Sequence, residues 1–286
     1  MMPKEALILV FIAAFAHAGW NFVAKRAPRI IPLAWWALVA ASLICLPLLL
    51  SRLPVPGEIW PYALCSAAAE ALYFLALAWA YSRGDFSLVY PVARGAAPAL
   101  LALWSVLFLG EHFRPPGVAG LGVLICGLSV VGCAGALKGR ASLKLSGGAA
   151  GAALFMAFWT SVYSAIDGAA VRIMAPEAYI GRVFALTALF LTPAVVRRFG
   201  VNALASELRS GWMRIIVAAV LMLSAYMLVL RAFQMANVCY VAALRELSVV
   251  VAALAGWRHL GEEFGLVRTA GSVLIFVGIF MIALAG

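Results

Sequence analysis

The chain has 286 residues, 66% of them hydrophobic and 11% charged. A soluble domain carries roughly 25% charged residues, so a water-soluble globule is excluded and lipid is the solvent for this much apolar side chain. The net charge of +10 does not mark a nucleic-acid binder, because the basic residues stand singly at the edges of apolar runs, as membrane-flanking residues do, and form no patch.

A hydrocarbon core about 30 Å thick needs roughly 20 apolar residues per helix, and backbone groups in lipid must bond within their own segment. At the N-terminus, Lys4, an apolar run and Ala16-His17-Ala18 have the outline of a cleavable signal. The run continues through Trp20 and Phe22 to Lys25, long enough to span, so a first helix is predicted over 6–25. Nine more follow over 32–51, 60–81, 87–109, 117–137, 147–166, 179–196, 213–232, 237–256 and 266–285. The breaks carry turn residues: Pro28 with Pro32, Pro54 to Gly57, Arg83-Gly84-Asp85, Pro115-Pro116-Gly117 and Gly147-Gly148. The short loops leave no room for a soluble domain.

An internal repeat divides the ten. Arg94 and Leu109-Gly110-Glu111 recur 151 residues later as Arg245 and Leu260-Gly261-Glu262, and the same offset carries Phe113 to Phe264, Gly120 to Gly271 and Gly127 to Gly278. The expected units are 1–140 and 141–286, five helices each. Five is odd, so the halves enter the membrane in opposite senses, an all-α integral membrane fold of two inverted five-helix repeats. Lys25 matches Asp167, near the predicted end of helix six, if the offset shrinks to 142. One membrane face collects six lysines and arginines and the other thirteen, counting loops and helix ends. The positive-inside rule puts the second face in the cytoplasm and both termini outside.

Trp20-Asn21 with Lys25, Tyr90-Pro91-Val92-Ala93-Arg94 followed by Pro98, and Leu-Gly-Glu after helices four and nine together give a chain that resembles the drug/metabolite transporter superfamily, in particular its EamA-type ten-helix members. The resemblance covers nearly the whole chain. It implies a secondary transporter of small organic solutes with a cavity between the halves, and cytoplasmic termini, opposite to the charge count.

Ionisable groups well inside the spans are His17, Glu70, Arg94, Arg245 and Glu246. Each charged group costs roughly 2.5–3.5 kcal/mol at the bilayer centre on insertion scales, so each must be paired, hydrated or used. Arg94 and Arg245 are repeat mates, and guanidinium groups grip carboxylates in bidentate fashion; they are candidates for the acidic group of a substrate, or for ties between helices. Glu70 is a candidate for a coupling proton or a substrate amine, or else for an ion pair with an arginine. Glu246 adjoins Arg245 and should point elsewhere on its helix, since neighbours lie about 100° apart, with a structural partner of its own or a part in proton coupling. His17 shares a face with Asn21 and titrates near neutral pH; with Trp20 the two could line a cavity and His17 could carry a proton. Tyr73, Tyr90, Trp159, Tyr163, Tyr226 and Tyr240 could box an organic solute or pack with their polar atoms bonded. Trp36, Trp60, Trp212 and Trp257 read as interfacial anchors. Pro91 and Pro98 should bend helix four around Arg94. Gly120 with Gly127, and Gly271 with Gly278, read as close helix packing.

Cys45, Cys65, Cys126, Cys133 and Cys239 lie in apolar runs without CxxC spacing and read as buried small hydrophobes rather than disulfides or metal ligands. There is no Walker A, HExxH or GxSxG sequence, so neither a cofactor nor an enzymatic activity is expected. The expectation is a secondary transporter of an amino acid or other zwitterionic or anionic metabolite in a bacterial cytoplasmic membrane. Its partners would be that solute and the bilayer, with no obligatory oligomer. The alternatives are a proton-coupled exporter of lipophilic cations and a non-transporting membrane component.

Overall fold

A computed structural model describes residues 2–51, 56–82, 86–133, 147–251 and 266–285. Ten helices are defined among them: α1 (Lys4–Lys25), α2 (Ile30–Ser51), α3 (Ile59–Ser82), α4 (Phe86–Leu109), α5 (Pro115–Cys133), α6 (Gly147–Ala170), α7 (Pro176–Phe199), α8 (Val201–Phe233), α9 (Val238–Arg245) and α10 (Leu266–Ala285). α1, α2, α3, α7 and α8 are each long and apolar enough to cross a membrane. Phe11, Leu43, Phe108, Leu189 and Phe280 point outward and exposed, as befits side chains whose solvent is hydrocarbon.

The halves interleave. α1 packs on α8, α3 and α4 on α6, α2 on α7 and α8, α3 on α7, and α5 along α10. Exchanging α1–α5 for α6–α10 maps these pairs onto one another: α1 with α8 becomes α6 with α3, and α2 with α8 becomes α7 with α3. Helices of residues 1–140 therefore pack directly on helices of 141–286. α5 and α10 meet at the four repeat-related glycines. A Cβ on Gly120 would lie 3.0 Å from the Gly278 carbonyl oxygen, and one on Gly127 would lie 2.7 Å from that of Gly271. This order of pairing makes the two helices antiparallel, and only glycine allows so close a backbone approach.

Three elements differ from the sequence expectation. α8 begins at Val201 rather than 213, because Gly200, at φ +79°, reverses the chain in one residue. The resulting 33 residues extend about 50 Å at 1.5 Å per residue, well beyond a hydrocarbon core. The charged residues that end the apolar run, Glu207, Arg209 and Arg214, remain helical, with Arg214 3.8 Å from Glu207. α9 stops at Arg245: Glu246 is a turn, and helix resumes over 247–251, where one span over 237–256 was expected. α6 runs on to Ala170, so Asp167 lies inside it.

Trp36 is half-buried and donates from Nε1 to the Leu204 carbonyl of α8 at 3.0 Å. Trp60 is exposed at the start of α3, and Trp212 is exposed but lies inside α8, eleven residues past its start; Trp257 lies outside the described residues. Cys45 and Cys239 are buried, but Cys65 and Cys126 are exposed on the outer surface. Arg182, one of the six basic residues assigned to the poorer face, is buried in α7, with its guanidinium on the carbonyls of Ala178 and Leu49.

Candidate functional site

A cavity of about 50 Å³ lies among α1, α3, α6, α7, α8 and α9, with Glu70, Arg245 and His17 on its wall beside a run of aromatic rings. Volume decides what it can hold here. A water needs about 10–15 Å³ of this measure, so there is room for a few waters, whereas small-molecule sites run to roughly 300–1,000 Å³.

α3 presents Glu70 from its midpoint and α7 presents Thr187 opposite, whose Oγ1 donates to Glu70 Oε2 at 2.7 Å. On α1, Trp20 donates from Nε1 to His17 Nδ1 at 3.2 Å; both rings line the cavity. Asn21, expected beside them, donates to the His17 carbonyl at 2.8 Å and does not line it. The aromatic wall runs through four rings. Tyr73 lies 6.1 Å from Tyr163, Tyr163 lies 6.2 Å from Tyr226, and Tyr226 stacks on Phe184 at 6.2 Å.

Arg245 enters where α9 breaks, buried, with one face to the cavity. At the turn that follows, Glu246 Oε1 lies 3.9 Å from Arg245 Nη2. Glu246 is buried behind Arg245, against Pro98 and Ser164, and does not line the cavity.

Trp159 packs on Phe155 and Phe158 of its own helix, and Tyr240 packs on Phe113. Neither lines the cavity, because each projects from the wrong side of its helix. The side chains of Tyr90 and Arg94 lie outside those described.

Sequence reasoning passed over Asp167. It is fully buried and accepts a hydrogen bond from Tyr179 at 2.7 Å on Oδ1 and one from Tyr226 on Oδ2. It therefore ties α6 to α7 and α8 directly behind the aromatic wall. Placing the end of helix six at 166 left Asp167 at the helix end and out of the groups read as lying well inside the spans. The run Gly168-Ala169-Ala170, with Tyr163 one turn before, was the signal that the helix continues.

A second polar assembly closes one end. The turn Leu109-Gly110-Glu111, with Gly110 at φ +64°, carries Glu111 to the start of α9, where Oε1 accepts the Val238 N–H at 2.7 Å. The same oxygen lies 3.3 Å from Arg172 Nη2, and Arg172 Nη1 donates to the Leu109 carbonyl at 2.9 Å. Leu260-Gly261-Glu262 lies outside the described residues.

A helical body with apolar spans and an aromatic-lined interior holding acidic and basic side chains has the architecture a solute transporter needs. The chain belongs to the EamA-like transporter family, whose pattern matches residues 4–133 and again 146–284. It is thus a multi-pass integral membrane protein of a transporter family of the drug/metabolite type, and not an enzyme. A relative, "Uncharacterized protein MJ1333.1" of Methanocaldococcus jannaschii, is 30% identical over 128 residues, 43% of this chain and 93% of the relative, about the extent of one repeat. A solved structure described as "Crystal structure of protein" superposes with a TM-score of 0.77 over 98% of each chain at 17% identity, a shared fold.

Proposed function

We propose that this chain is a secondary transporter of a small zwitterionic metabolite of the amino-acid kind, working by alternating access between inverted halves in a bacterial cytoplasmic membrane. The observation that carries the reading is the presence of one acidic and one basic side chain, Glu70 and Arg245, on the wall of one aromatic-lined cavity. Arg245 suits the carboxylate of such a solute, Glu70 its ammonium group, and Tyr73, Tyr163 and Tyr226 its body. The antiparallel meeting of α5 and α10 supports the inverted sense of the halves. The small volume requires the helices to part before a solute enters, which is the motion alternating access supplies. No second chain is needed to complete this cavity.

The test is uptake and efflux of labelled amino acids and related zwitterions by proteoliposomes, preceded by a thermal-shift screen of a metabolite collection. Arg245→Ala and Glu70→Gln should each fold and each lose transport. Normal transport by folded Arg245→Ala would remove the carboxylate clamp. A second reading, proton-coupled export of lipophilic cations, draws on the aromatic wall with Glu70 in it. There, Arg245→Ala should spare efflux and Glu70→Gln should abolish it.

A further inference from the structure

We propose that Asp167 is the proton-binding site that couples this transporter to a proton gradient, loaded from the cavity through the hydroxyl of Tyr226. The inference rests on the transporter reading and adds the coupling ion and its carrier, which is neither Glu70 nor His17.

Asp167 has no exposed surface, yet a single side chain separates it from the cavity. Of its two phenol partners, Tyr179 is buried among α3, α6 and α7, whereas Tyr226 lines the cavity. The described groups that face Asp167 are Tyr179 on α7, Tyr226 on α8, Ser66 and Glu70 on α3 and Arg245 on α9, with Tyr163 of its own helix against Tyr226. In the starting state both phenols donate and both carboxylate oxygens accept. A proton arriving in the cavity binds the outer lone pair of the Tyr226 oxygen while Tyr226 passes its own proton to Asp167 Oδ2. The phenol ends neutral, the carboxylate becomes a carboxylic acid, and one proton has left the cavity. The hydrogen bond now runs from Asp167 to Tyr226, and the Tyr226 O–H points into the cavity. Loading thereby converts Tyr226 from a donor to the core into a donor to whatever occupies the cavity, and replaces a buried charge joining α6, α7 and α8 with a neutral pair. Thr187 already holds Glu70 on the opposite wall, so the two carboxylates are separately tethered.

The probe is the proton itself, which makes the test independent of the solute. Infrared difference spectra of the purified protein in lipid, recorded between acid and alkaline pH, should contain a titrating carboxylic-acid band. Asp167→Asn should delete it, Tyr226→Phe should shift it and slow its appearance, and Glu70→Gln should leave it. Asp167→Glu serves if the asparagine variant does not fold, and should move the band. An unchanged band in Asp167→Asn, its loss in Glu70→Gln alone, or the absence of any titrating band overturns the proposal. Where a transported solute is found, folded Asp167→Asn should exchange it but fail to concentrate it against a pH gradient; pH-driven accumulation by that variant also overturns the proposal. Failure of the zwitterion screen leaves the infrared result standing.

Discussion

Glu111, in the turn after α4, caps the first backbone N–H of α9 at Val238, 127 positions further along the chain. The Leu-Gly-Glu sequence is thus a clasp thrown from one half onto the other. Burial pushes the Glu111 carboxyl above the ordinary carboxylate range, against the lowering pull of the Val238 N–H and Arg172. The folded protein therefore binds this proton more tightly than the unfolded one. Its contribution to stability is fully present below the ordinary glutamate value and is lost as pH rises through the folded value. Melting temperature measured in lipid across that window should fall with pH, and less so in Glu111→Gln, which keeps an acceptor for Val238. Glu111→Ala removes the cap and should cost about 1 kcal/mol.

Gly127→Ala should destabilise the protein even though alanine is the better helix former. Its methyl would lie 2.7 Å from the Gly271 carbonyl oxygen and the Ile275 nitrogen, backbone atoms that cannot turn aside. Overpacking of this kind costs about 1–3 kcal/mol. Gly122→Ala, which meets nothing within 4 Å, should melt with the parent chain. Equal melting temperatures for the two variants would contradict the close crossing of α5 and α10.

The aromatic residues should separate into two groups. Tyr73→Ala and Tyr163→Ala, both on the cavity wall, should each weaken binding of a solute found by the screen about tenfold, or roughly 1.4 kcal/mol. Trp159→Phe and Tyr240→Phe, off the wall, should leave it unchanged. The measurement is a titration of the melting shift with that solute.

Orientation is open to a direct test, because charge bias and family resemblance point in opposite directions. The burial of Arg182 reduces the poorer face from six basic residues to five and sharpens the bias. The positive-inside rule then expects both termini outside the cytoplasm. A reporter fused to the C-terminus, active only in the cytoplasm, should stay silent; activity would favour the orientation the family resemblance implies.

The helices were legible because each apolar run in lipid has one way to satisfy its backbone, and the glycine crossing was legible because four small residues recurred at one offset. What escaped had weaker local signals. The early start of α8 was hidden by Glu207 and Arg209, since hydropathy falls where charge enters while helix does not. The break of α9 at Glu246 carries no proline or glycine to announce it. Asp167 was left out of the groups inside the spans by a boundary set four residues short. Trp159 and Tyr240 were candidates by residue type, and only packing decides which side of a helix meets a cavity.

Where α5 crosses α10, main chain lies on main chain with no side chain between to yield. A joint of that kind resists compression and sliding, as an axle would. If the rest of the molecule swings to admit and release cargo, the swing turns about this line, and the axle has a glycine from each half at both ends.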